Sequence, residues 1–192
     1  ISSTNTSLSL PVSPYYRYSI SQQIYTAAEI GMPGTINSIS FNIDSPTYGG
    51  VTNRACKVYM ANVEKTAFSS TTDWEALTSS DMVFDGIVSP TLSGWLTITL
   101  DTPFEYDGTS NLLVCVVDNT GSYTSANAKF STFRGTGSQA LYVKSDYGSG
   151  FDATSITSIG TANGFKNVIK LDITAPTIAA ELEVSPVDLG YR

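Results

Sequence analysis

From Gly34 to Asp44 the chain alternates with a period of two residues. Ile39, Phe41 and Ile43 fall on one side, and Ser38, Ser40 and Asn42 fall on the other. Only an extended strand sends successive side chains to opposite faces, one toward a core and one toward water. The pattern returns along the chain. Cys56, Val58 and Met60 oppose Lys57 and Tyr59; Leu96, Ile98 and Leu100 oppose Thr97 and Thr99; Ile169, Leu171 and Ile173 oppose Lys170 and Asp172. Further extended runs are predicted over 15–26, 82–88, 129–133 and 139–145. Residues 112–117 (LLVCVV) are apolar on both faces, which predicts a central strand covered on both sides. Turn signals at Ser45-Pro46, Gly49-Gly50 and Asp107-Gly108 separate the runs. Short strands at roughly 10–20-residue spacing predict an all-β fold, an antiparallel β-sandwich. Connections longer than hairpins favour a jelly-roll arrangement. With no long helical period, βαβ folds are excluded.

Little helix is expected. Thr26 followed by Glu29 forms a capping-box pattern, with Gly31 placed to end the turn after one or two turns. Thr72 and Glu75 repeat the pattern inside the Ser/Thr-rich segment 69–80, which reads either as a helical turn or as loop. Residues 1–14, with Pro11 and Pro14, read as an arm or first edge strand outside the core. Asn5-Thr6-Ser7 matches a glycosylation sequon. Residues 1–174 are expected to form one module. Residues 175–192 read as a linker and the truncated start of a following domain, with a strand over 181–184.

The chain has no histidine and two cysteines. That excludes Ser-His-Asp and Cys-His catalysis, HExxH zinc sites and four-cysteine metal sites. A formal net charge of −7 argues against nucleic-acid binding, which needs a basic surface to neutralise phosphates. No apolar stretch is long enough for a membrane-spanning helix, so no membrane insertion is expected. A glycosidase needs only two carboxylates. Asp44, Glu64, Glu75, Asp85 and Glu105 are the available acids, and none forms a recognisable pair, so the chain is not expected to be an enzyme.

Three kinds of site remain. Cys56 and Cys115 both fall in core strands and read either as a disulfide or as two buried thiols. Calcium is the one metal whose oxygen ligands the chain can supply, and Asp146 and Asp152 in the loop SDYGSGFDATS are the first candidates. Asp118 with Asn119, and Asp107 with Asn111, are further ones. The competing reading for all of them is turn chemistry without an ion. Loop aromatics able to stack on sugar rings are Trp74, Tyr123, Tyr147 and Phe151, with Tyr48 beside the Gly49-Gly50 turn. For each taken alone, ordinary packing is the stronger reading.

Several motifs in order carry a family resemblance: QQIYTAAEIG at 22–31, GTINSISF at 34–41, KTAFSS at 65–70, Asp73-Trp74, Gly94-Trp95, YDGTSNL at 106–112 and DNTGSY at 118–123. Together, over about residues 15–173, they resemble a β-sandwich module of secreted and surface proteins of Bacteroidales bacteria, akin to cleaved-adhesin, gingipain-associated domains. The resemblance implies a non-catalytic module at the cell surface or outside the cell, within a larger polypeptide. Its expected partners are a host protein or glycan and the neighbouring modules of the same chain. Some relatives of this kind hold calcium, but no ligand motif matches residue by residue. The functional expectation is therefore an adhesin or binding module. The alternatives are a carbohydrate-binding accessory domain of a secreted enzyme, or a structural spacer.

Overall fold

The structure, a computed structural model, describes residues 5–7, 9–47, 51 and 53–176. Its strands, in chain order, are β1 (Asn5–Ser7), β2 (Tyr18–Tyr25), β3 (Gly34–Thr47), β4 (Arg54–Val63), β5 (Met82–Val88), β6 (Gly94–Tyr106), β7 (Asn111–Asp118), β8 (Asn127–Arg134), β9 (Ala140–Ser145), β10 (Thr161–Asn163), β11 (Phe165–Asn167) and β12 (Ile169–Thr174). One short helix, α1 (Ala27–Ile30), follows β2. The Thr26 N–H donates to Glu29 Oε2 at 2.7 Å, and Gly31 ends the turn at φ 83°. That left-handed geometry suits glycine, as the capping pattern requires. The second capping pattern forms no helix. Glu75 N–H instead donates to Gln22 Oε1 at 2.8 Å, and Asp73 serves a loop.

All pairings are antiparallel and build two six-stranded sheets. In the first, β3 pairs with β6, β12 and β8, and β8 also holds β1 and β11. The second runs β10-β9-β2-β7-β4-β5. The sheets face each other across a core of Ile36, Ile39, Phe41, Ile98 and Phe130 from one and Val58, Met60, Leu112, Val114 and Val116 from the other. This is the all-β sandwich that the alternation predicts.

The second sheet is buried on its other face as well. Ile20, Ile24, Tyr59, Leu113, Cys115, Val117 and Leu141 pack there against Phe68, Leu77 and Ala153 from the long connections after β4 and β9. The apolar run on both faces of β7 follows from this, since every residue from Leu112 to Val117 is buried.

One expectation changes, one alternative is decided and one strand is new. Residues 10–13 are not an arm outside the core: Leu10 and Val12 are buried, and the Ser21 hydroxyl donates to Pro11 O at 2.7 Å. The prolines suit a segment that plugs the sandwich rather than joining a ladder. The Cys56–Cys115 disulfide is absent, and both thiols are free and buried. Cys56 pairs with Asp118 and Cys115 with Tyr59, an odd offset that sends the two side chains to opposite faces of the sheet. Cys56 lies in the core between the sheets and Cys115 in the outer cluster. Finally, Thr161–Asn163 forms a short strand that the sequence pattern does not announce. The proposed linker and the 181–184 strand fall largely outside the described residues.

The connection after β4 is pinned by Asp73. Its carboxylate takes the Lys65 ammonium at 2.8 Å and the Ser69 N–H at 2.7 Å, and these bonds hold its pKa at about 2. Ser110 and Thr109 hold Asp107 at about 2 in the same way. Both folded values lie below the unfolded value of about 4. Their contribution to stability is therefore complete above that value and is lost as pH falls through the folded pKa. The melting temperature is expected to drop steadily between about pH 4 and pH 2, and Asp73→Asn should flatten that drop. A calorimetric series over this range checks it; identical slopes for both proteins would remove Asp73 from the account.

Candidate functional site

Register brings four strand ends together. Ser19 and Cys56 both pair with Asp118, and Tyr18 pairs with Ser145. The segments before β2, before β4, after β7 and after β9 therefore meet at one end of the second sheet. Three of them carry exposed tyrosines: Tyr15 (57% exposed), Tyr123 (62%) and Tyr147 (88%).

A buried ion pair organises this end. Arg54 is 2% exposed and Asp118 0%, with Nε to Oδ2 at 2.7 Å. The rest of the guanidinium fork spans two loops. Nη1 donates to Ser122 O at 2.8 Å, and Nη2 donates to Tyr16 O at 3.1 Å. Arginine suits this place because its planar fork can hold a carboxylate and carbonyls at once. The second Asp118 oxygen accepts from Thr120 N–H at 3.1 Å and from its hydroxyl at 2.6 Å. Thus the backbones flanking Tyr15 and Tyr123 hang on one guanidinium.

Further bonds knit the loops together. Gly121 N–H donates to Arg17 O at 3.0 Å, and Thr124 N–H donates to Pro14 O at 3.1 Å. The Tyr147 loop joins through Arg17 N–H to Asp146 Oδ1 at 3.2 Å. The Asn119 side chain bonds both backbone groups of Phe151, at 2.8 and 2.9 Å. Lys144 Nζ lies 4.6 Å from the centre of the Tyr16 ring, a cation–π contact. The result is a set of exposed tyrosines on loops whose backbones are held in place.

The aromatic candidates divide accordingly. Tyr123 and Tyr147 belong to this end. Trp74 does not: its ring packs on the outer cluster, and its Nε1–H donates to Ser158 O at 2.7 Å. Phe151 is half-buried on the same cluster. Tyr48 lies outside the described residues.

The first-named calcium candidates, Asp146 and Asp152, serve hydrogen bonds of their loops. Asp146 accepts from Arg17 N–H, and Asp152 Oδ1 accepts from Thr154 N–H and hydroxyl at 2.9 and 2.8 Å. Among the described residues no three of His, Cys, Asp and Glu gather as metal ligands would. The acids considered for glycoside hydrolysis have separate neighbours: Glu75 meets Lys65 at 3.1 Å, Asp85 meets Lys57 at 3.3 Å, and Glu105 accepts from the Thr35 hydroxyl at 2.8 Å.

Arg54, Asp118 as its partner, and Tyr15 were not singled out from sequence. Arg54 carried a usable signal. It shares the strand parity of Cys56, Val58 and Met60, so it is an arginine at a core-facing position. Such a residue requires a buried partner.

The chain finds no match among protein families, curated proteins or solved structures.

Proposed function

We propose that this chain is a non-catalytic adhesin-type binding module of a larger exported protein, and that it holds its ligand at the tyrosine end. The observation that supports this most is the set Tyr15, Tyr123 and Tyr147 on loops tied together through Arg54. Tyrosine suits recognition because it offers a large amphipathic surface and loses little rotamer freedom on binding. Loops already held in place reduce the ordering cost further. The motif resemblance agrees with a surface location and with glycan or protein ligands.

Glycan is the ligand class to test first, because sugar rings present apolar faces to exposed aromatic rings. A glycan array probed with the purified chain should give specific signals. Tyr147→Ala and Tyr123→Ala should each weaken them about tenfold, the equivalent of about 1.4 kcal/mol, with melting temperature unchanged. An array with no signal, or with signals indifferent to both substitutions, would sink the glycan reading of this end.

A further inference from the structure

At the opposite end of the second sheet lies a cluster that the tyrosine site does not use. Lys166, on β11, is fully buried. Its Nζ donates to Ile24 O at 2.9 Å, to Gln139 Oε1 at 2.8 Å and to Glu29 Oε2 at 2.6 Å. The rings of Tyr25 and Phe133 flank it, with centres 5.0 and 5.2 Å away. Gln139 is buried too, and its Nε2 donates to Thr66 O at 3.0 Å. Gly135 makes room for this amide, since a Cβ at that position would overlap Gln139 Oε1.

A buried amine and a buried primary carboxamide thus meet beside a part-exposed carboxylate, with two aromatic rings flanking the amine. These are the reactants and the proton carrier of an amide exchange. We propose that Lys166 and Gln139 join through an intramolecular isopeptide bond, with Glu29 moving the proton.

The geometry gives each group a part. The Lys166 ammonium passes a proton to Glu29 Oε2, its nearest acceptor. The free amine then attacks Gln139 Cδ. One carbonyl bond separates this carbon from Oε1, so it lies no more than about 4 Å from Nζ. Reaching the attack distance of about 3–3.5 Å requires the amide to turn away from its bond to Thr66 O. The attacking nitrogen then passes its surplus proton to the departing nitrogen, and Glu29, part-exposed, gives the proton it took to solvent. One C–N bond forms, one breaks, and ammonia leaves; no oxidant or cofactor is needed. Burial pushes the Lys166 pKa below its ordinary value, against the opposing hydrogen bond and charge of Glu29, while the same contact holds Glu29 below its own ordinary value against its partial burial. Glu29 and Phe133 also line an apolar cleft of about 620 Å³ beside β12, which offers ammonia a way out.

Position gives the bond a purpose. Lys166 belongs to the first sheet through β8, and Gln139 directly precedes β9 of the second. The bond would tie the two sheets covalently.

The test is the intact mass of the purified chain under denaturing conditions. It should fall about 17 Da below the sequence mass, the loss of ammonia. A protease digest should contain a branched peptide joining Lys166 to Gln139. Lys166→Arg and Glu29→Gln should both restore the full mass. The unsubstituted chain decides the matter whether or not either variant folds. Full sequence mass, with both residues recovered unmodified, would overturn the proposal. A loss of about 18 Da with Lys166 joined to Glu29 would overturn it as well, because water rather than ammonia would have left.

Discussion

Arg54→Met is expected to lower the unfolding free energy by about 3–5 kcal/mol, the usual cost of removing one partner from a buried ion pair. Three losses combine. Asp118 is left fully buried without its guanidinium partner. Ser122 O and Tyr16 O lose their donors. The segments bearing Tyr15 and Tyr123 also lose their common anchor. Arg54→Lys should recover only part of the loss, because an ammonium cannot span the same carboxylate and two carbonyls as a planar fork. Arg54→Met combined with Asp118→Leu should recover more, because no charge is then left stranded. Urea unfolding of the four proteins separates these outcomes. A cost below about 1 kcal/mol for Arg54→Met would mean that the pair behaves like an exposed one. The same substitution should weaken ligand binding at the tyrosine end without touching a tyrosine.

Leu113→Ala is expected to cost about 2–5 kcal/mol, as much as Leu112→Ala next to it. Neighbouring residues on a strand face opposite ways, so the pair compares the two faces of β7 directly. Leu112 faces the first sheet and Leu113 faces the loop layer, and both are fully buried. An ordinary two-layer sandwich would leave the second position half solvated and its truncation mild. Here the loops pack as a third layer, held by Trp74 Nε1–H to Ser158 O and by Gly160 N–H to Thr71 O, both at 2.7 Å. Denaturation midpoints that show Leu113→Ala under about 1 kcal/mol would mean that this layer yields to fill the space.

The strands were legible because each carries its own period. Ile39-Phe41-Ile43 and Ile169-Leu171-Ile173 announce their faces without knowledge of their neighbours. The double apolar face of 112–117 announced a covered central strand, but not that loops do the covering. That part depends on the dispersed residues Phe68, Leu77 and Ala153, which have no period. The choice between a disulfide and two buried thiols stayed open for a related reason. Alternation shows that two cysteines are buried, but their relative face depends on the β4–β7 register. At the candidate site, Tyr123 and Tyr147 could be named as loop aromatics. Their gathering with Tyr15 could not, because it follows from pairings between β2, β4, β7 and β9. Trp74 read as a surface ring because its surroundings in sequence are Ser and Thr; in space they are the outer cluster.

The strand order carries a consequence for how the chain is made. Among the described residues β2 pairs with β7 and β9, and the early part of β3 is matched by β12 as well as by β6. Phe41 meets Ile169 across that last pairing. Neither sheet can close while the chain is only partly synthesised, and contacts so distant along a sequence form slowly. The edges of β2 and β3 therefore wait, unpaired, for strands that emerge later. During that interval the nascent chain is open to wrong pairing with its neighbours, and shielding it until β12 arrives is a demand that this topology places on the cell.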